Sequence, residues 1–155
     1  MEALSYALAA LARKRHTRAQ LEQKLHRRQY DENTIDFVLA YCQERKYLDD
    51  YEFALIWIED RIRLKPMGRW RLKQELSRKG VAMDLIEKAL DELLPLEQEL
   101  ILAKQVLKGC MTKMSDGQTV TCKVFNYLAR RGFSKQLIYQ AAFELGLILC
   151  KNDQT

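Results

Sequence analysis

The chain has 155 residues, with 26 Lys and Arg against 21 Asp and Glu, and only six glycines and two prolines. A single domain of that length buries roughly two-thirds of its unfolded-chain surface, and so few turn-forming residues exclude an all-β sandwich or barrel, whose many short strands need dense punctuation. The net charge of +5 suits an acidic partner and is unevenly placed: 17 basic and 12 acidic residues run through Gly80, and 9 of each follow.

In chain order, Ala3, Tyr6, Ala7 and Leu11 are spaced i, i+3, i+4, i+8 and predict a first helix with one apolar face. The apolar stretch precedes Arg13, Lys14 and Arg15, which reverses the charge order of a secretory signal, and no apolar run approaches bilayer length. A soluble, cytoplasmic protein is expected. Thr17 with Gln20 predicts a capping box for a second helix carrying Leu21 and Leu25, and Asp31 an N-cap for a third carrying Ile35 and Leu39.

The pattern then repeats. Leu21, Leu25, Tyr30, Ile35 and Leu39 recur 51 residues later as Leu72, Leu76, Val81, Ile86 and Leu90, and 52 further on as Val124, Leu128, Phe133, Ile138 and Ala142. The first helix recurs as Ala54, Trp57, Ile58 and Ile62, opened by Asp49 and Glu52 as a second capping box, and again as Ala103, Val106, Leu107 and Met111. The third copy needs a loop three residues longer around Ser115 to Thr119, with Asp116-Gly117 as its turn, and Ser134 as a later N-cap. Gly80 and Gly132 fit left-handed helix ends. The expectation is an all-α protein of about nine helices, one domain over 1–155 made of three tandem three-helix units near 1–48, 49–95 and 96–155. Units of this size bury only part of their apolar surface alone, so they are expected to stack in an elongated, curved array.

Catalytic patterns are absent: there is no Gly-rich phosphate loop, GxSxG elbow or HExxH helix. His16 and His26 sit among Arg and Lys with no evident carboxylate partner and read as surface histidines. Asp49-Asp50, Glu59-Asp60 and Asp91-Glu92 fit helix starts or solvated faces. Cys42, Cys110, Cys122 and Cys150 lack CxxC spacing and read as reduced, mostly buried thiols, so neither zinc nor any other metal or cofactor is expected.

The densest feature is cationic. Arg61, Arg63, Lys65, Arg69, Arg71, Lys73, Arg78 and Lys79 are opposed locally by Glu75 alone, a composition that attracts a phosphate backbone or an acidic groove. A basic pair recurs before each turn, as Arg27-Arg28, Arg78-Lys79 and Arg130-Arg131, and there compensation of the helix dipole is the favoured explanation. Trp70 points away from Leu72 on the same helix, which fits either a partner anchor or packing against a neighbouring helix. Arg61, Arg63 and Lys65 have the fewest local anions and are the leading contact residues, with Arg69, Trp70, Arg71, Lys73, Arg78, Lys79, Arg130 and Arg131 completing the set.

The run Lys46-Tyr47-Leu48-Asp49-Asp50-Tyr51-Glu52-Phe53-Ala54 resembles the G-Y-L-D-D-x-x-F-A signature of the RecX family, regulators of the RecA recombinase. Gly68, Arg71, Leu72, Glu75, Leu76, Lys79 and Gly80 resemble the family's G-P-x-R-I-x-x-E-L-x-x-K-G helix. Leu11-Ala12-Arg13, Thr17, Leu21 and Lys24-Leu25 are similar to its opening, and Leu128, Arg130, Arg131, Gly132 and Phe133 to its closing L-x-R-R-G-F. The departures are Lys46 and Gln29, where the family commonly has Gly, and Arg69, where it usually has Pro. The resemblance implies a non-enzymatic protein that lodges in the groove of a RecA filament on single-stranded DNA; a monomer is expected. There it would lower ATP hydrolysis and suppress strand exchange and LexA cleavage, acting in DNA repair, recombination and the SOS response, with the DNA phosphate backbone as a second partner. The alternative is a direct DNA-binding protein whose helix pairs around Gly80 and Gly132 act as helix-turn-helix elements without a recombinase. A tetratricopeptide scaffold is disfavoured by the repeat length.

Overall fold

A computed structural model describes residues 2–114 and 116–150. Nine helices run in chain order: α1 (Glu2–Arg13), α2 (Arg18–Arg27), α3 (Glu32–Glu44), α4 (Asp50–Leu64), α5 (Arg69–Arg78), α6 (Met83–Leu93), α7 (Leu96–Met111), α8 (Cys122–Arg130) and α9 (Lys135–Glu144). These are the helices among the described residues, and their number matches the nine that the repeat predicts.

The caps follow the residues. Thr17 accepts from the Gln20 N–H while Gln20 Oε1 accepts from the Thr17 N–H, completing the box. Asp31, Thr121 and Ser134 each accept from the N–H three residues on, and Asp49 does so from Glu52. Gly80 (φ 84°) and Gly132 (φ 92°) end α5 and α8 in the left-handed region. The two positions where the family commonly has Gly are left-handed here with side chains attached, Gln29 at φ 62° and Lys46 at φ 56°. Each carries roughly 1–2 kcal/mol of steric cost that Gly would not.

Two compact units divide the chain: residues 1–57 with 75–89, and 58–74 with 90–155. The front of α4, the end of α5 and most of α6 therefore belong with the first repeat, and the remainder of those helices with the third. In the first unit Ala3, Ala7, Leu21, Leu25, Ile35, Val38, Leu39, Cys42 and Leu48 form the core, edged by Leu4, Tyr6, Leu11 and Tyr30. Fully burying Leu21 or Leu25 stabilises by about 1.5–3 kcal/mol each. In the second unit α7 packs on α9 and α8, with Leu107, Leu128, Ile138 and Ala142 fully buried. On the first helix of each repeat the pattern is the same: Ala3 and Ala7, Ala54 and Ile58, Ala103 and Leu107 are buried, while Tyr6, Trp57 and Val106 are half-buried.

Three expectations change. The long loop of the third repeat carries β1 (Thr119–Val120), which pairs in parallel with β2 (Ile148–Leu149), Thr119 opposite Ile148 and Val120 opposite Leu149. Two-residue strands are too short for alternation to show in sequence. Asp116 does build the turn, accepting from the Gln118 and Thr119 N–H groups, which hold its carboxyl below the ordinary range; Ser115 lies outside the described residues. Of the four thiols only Cys42 is buried, and Cys110, Cys122 and Cys150 are half-buried. Lastly, His26 does have a carboxylate neighbour, Glu32 at 3.6 Å, although both are well exposed.

Candidate functional site

Two equivalent seams position the candidate residues. In the first unit the Thr17 hydroxyl donates to the Lys79 carbonyl at 2.5 Å, and the Arg18 N–H donates to Asp50 Oδ1 at 2.8 Å. In the second unit the Gly68 N–H donates to the Arg131 carbonyl at 2.8 Å, and the Arg69 N–H donates to Glu99 Oε1 at 2.9 Å. Thr17 and Gly68, Arg18 and Arg69, Lys79 and Arg131 are related by the repeat, and Asp50 and Glu99 by the shorter 49-residue shift. Each seam thus joins the start of one repeat's second helix to a carboxylate and to the end of the next repeat's second helix. The turn glycines complete the fit: a Cβ at Gly80 would overlap Ala19 Cβ, one at Gly132 would overlap Arg71, and one at Gly68 would overlap the Gly132 backbone.

Both seam carboxylates are perturbed in the same direction. Burial pushes Asp50 above its ordinary range, and Asp49 adds to the rise, against the pull of the Arg18 N–H and charge. Burial likewise raises Glu99, against the Arg69 hydrogen bond and the charges of Arg69 and Lys73. In the sequence Asp50 reads only as part of an acidic pair at a helix start or solvated face, and Glu99 carries no signal of its own. The signal was present, since the two repeat shifts relate both donor and acceptor, but it is visible only once the contact is known.

The seams engage part of the cationic set. Arg69 has only 13% of its side chain exposed, and its guanidinium donates to the Leu94 carbonyl at 2.9 Å and to Asp91 at 2.8 Å. Its backbone N–H, which the family's Pro would lack, is the Glu99 donor. Arg131 donates to the Pro66 carbonyl and to the Tyr127 hydroxyl. Lys79 lies over the Trp57 ring at 4.3 Å, and the Trp57 indole N–H donates to Glu75 at 2.9 Å. One repeat earlier Arg28 lies over Tyr6 at 4.6 Å. The second member of the first two basic pairs therefore stacks on the same aromatic position of the first repeat helix, each worth about 0.5–1 kcal/mol or more. That is a structural use beyond dipole compensation.

The first members, Arg27, Arg78 and Arg130, are all exposed. Arg63 and Lys65 are exposed at the end of α4, Arg63 within 3.2 Å of Asp60, which is also exposed. Arg61, Arg71 and Lys73 are half-buried. Trp70 is 58% exposed and with Ala129, Gly132, Phe133 and Ser134 lines an apolar hollow of about 300 Å³. Its indole is largely open to solvent and shares this hollow with residues of the α8–α9 turn. Nine of the eleven residues, Arg61 to Lys73 with Arg130 and Arg131, belong to the second unit; Arg78 and Lys79 belong to the first. Among the described residues no cluster of three or more His, Cys, Asp or Glu stands ready for a metal, and no helix is long and apolar enough to cross a membrane.

Comparison with known proteins adds the context. The description "RecX, first three-helix domain" matches residues 3–42 and "RecX, second three-helix domain" residues 49–90. The chain is 34% identical over 148 residues to the Regulatory protein RecX of Prosthecochloris aestuarii, covering 93% of each. It is 32% identical to that of Chlorobium limicola, covering 98% of this chain and 96% of the relative. The crystal structure of RecX from Lactobacillus salivarius superimposes with a TM-score of 0.76 at 24% identity, over 95% of this chain and 96% of that one, a likeness of fold.

Proposed function

The chain belongs to the RecX family of regulatory proteins, and from that premise we propose that it binds the RecA–DNA filament without catalysing a reaction, lowering ATP hydrolysis and suppressing strand exchange and coprotease activity. One observation of this chain carries the reading: Arg63 and Lys65 stand exposed at the end of α4, in the same unit as the open Trp70 indole and Arg130. Cations in that setting are drawn to phosphate or to an acidic groove, and an exposed tryptophan is the residue type most able to anchor a protein partner. Contacts to successive filament subunits and to the DNA phosphates would block entry of duplex DNA and the subunit movements that accompany ATP turnover.

Purified protein added to saturation should depress the ATPase of RecA on single-stranded DNA and its strand exchange. Unchanged rates would end the proposal. Charge reversal at Arg63 and Lys65 should weaken inhibition at least tenfold without loss of helicity, because neither side chain is buried.

Direct DNA binding through the α5–α6 and α8–α9 pairs fits less well. Their turn glycines, Gly80 and Gly132, are occupied by Ala19 and Arg71, which restricts the approach of a duplex to those turns.

A further inference from the structure

Cys110, Cys122 and Cys150 are half-buried, and the filament contact uses none of them. Two of the three are brought together by the strand pair of the third repeat. β1 and β2 run parallel, with Thr119 opposite Ile148 and Val120 opposite Leu149. Hydrogen bonds carry the pairing one residue further. The Ile148 N–H donates to the Gln118 carbonyl at 2.8 Å, and in the same pattern the Cys150 N–H donates to the Val120 carbonyl at 3.1 Å. Cys150 therefore lies opposite Thr121, and Cys122 is the next residue along.

Neighbouring strands lie about 4.8 Å apart and successive Cα atoms about 3.8 Å apart, which puts the Cα atoms of Cys122 and Cys150 about 6 Å from each other. A disulfide spans Cα separations of roughly 4.4–6.8 Å. Thr121 is still extended, with φ −77° and ψ 160°, and caps α8 by accepting from the Val124 N–H, while Cys122 is the first residue of that helix. A thiolate formed there meets the positive end of the helix dipole. The other two thiols are set apart. Burial raises the pKa of Cys42 and of Cys110, the latter against the charges of Lys113 and Arg131, and neither residue lies on the strand pair. Thiols held protonated in this way react slowly.

We propose that Cys122 and Cys150 form a redox modification site, at which oxidation joins them in a disulfide that staples β2 to the start of α8. The oxidant is the disulfide of a small thiol, of the glutathione class. The Cys122 thiolate attacks one sulfur of that disulfide, forming a mixed disulfide and releasing one small thiolate. The Cys150 thiolate then attacks the Cys122 sulfur, forming the internal bond and releasing the second. The two protons lost by the protein thiols go to the two released thiolates, and the two electrons lost by the cysteines reduce the oxidant. The bond closes a loop that contains α8 and α9 and so restricts the unfolded chain. The site does not rest on the filament reading, and its test needs no recombinase.

The full chain is incubated with reduced or with oxidised glutathione, alkylated, digested with trypsin and mapped by mass spectrometry. Oxidation should join the peptides 114–123 and 136–151, which carry Cys122 and Cys150, and leave Cys42 and Cys110 alkylated. The melting temperature of the undigested chain should rise by on the order of 5 °C. Cys150→Ser should abolish both the joined peptide and the rise, whereas Cys110→Ser should keep both. A joined peptide containing Cys42 or Cys110 would overturn the proposal, as would glutathione left on Cys122 with no internal bond. Four alkylated cysteines after oxidation would overturn it too. Mapping of the unaltered chain needs no substitution, so a folding defect in Cys150→Ser leaves the test decisive.

Discussion

The two seams make the same connection with different chemistry. The first uses a side chain: the buried Thr17 hydroxyl caps its own helix and donates to Lys79. The second uses bare backbone, with Gly68 donating its N–H to Arg131 and sitting where any Cβ would strike the Gly132 carbonyl. A hydroxyl seam keeps the chains apart by the length of a side chain, whereas a glycine seam brings two backbones into contact. The repeat conserves the hydrogen bond while changing the distance, and the third repeat is held close enough for Arg69 and Arg131 to become internal fasteners instead of surface charges.

The difference is most strongly broken at glycine. Gly132→Ala combines an αL penalty with overlap on Arg71, and should cost about 3 kcal/mol in urea unfolding. Gly80→Ala meets only the Ala19 methyl and should cost about 2 kcal/mol. Equal costs would remove the distinction between the seams.

Next comes Thr17→Val, which keeps the shape and deletes both hydrogen bonds, for an expected loss of about 2 kcal/mol. Thr17→Ser should recover most of it. If Val is tolerated, the hydroxyl is incidental and the first seam rests on apolar packing.

The carboxylates give a paired test with a pH signature. Glu99→Ala removes the acceptor for the Arg69 N–H and should cost about 1 kcal/mol, while Glu99→Gln keeps an acceptor oxygen and should be near neutral. The native Asp50 and Glu99 carboxyls are both raised by burial, so the folded state holds protons that the unfolded state has released. Their contribution is full below the ordinary carboxylate pKa and declines as pH rises through the raised folded values. Asp50→Asn with Glu99→Gln should flatten that decline in a stability profile from pH 4 upward. A steeper profile in the variant would reverse the sign and contradict the burial argument.

The smallest effect is a gain. Gln29→Gly and Lys46→Gly should each stabilise by about 1 kcal/mol, since both positions are left-handed, measured as a rise in urea midpoint.

Much of this architecture is legible in the chain, and for a definite reason. Leu21, Leu72 and Val124 begin the same apolar rhythm, and a core face leaves a periodic trace because burial acts on every turn of helix. The capping residues are legible too, since an N-cap contacts a backbone group only three residues away. The seams are not, because Thr17 reaches a carbonyl 62 positions on and carbonyls have no sequence identity. The same gap explains Arg69. Local charge counting sets it against Glu75 alone, whereas its actual partners, Asp91 and Glu99, are 22 and 30 residues away. The β1–β2 pair joins two segments that each look like loop. At the candidate surface, cationic density can be read directly, but the division between fastening cations and open ones, Arg131 against Arg130 or Lys79 against Arg78, depends on aromatic and carbonyl partners brought together only by folding.

Co-sedimentation with preformed RecA filaments on single-stranded DNA tests the functional account most directly. The account predicts that the chain pellets with filament far beyond its retention by bare single-stranded DNA or by RecA alone, and that charge reversal at Arg63 and Lys65 returns it to the supernatant. Equal retention by filament and bare DNA, or none by filament, would contradict it.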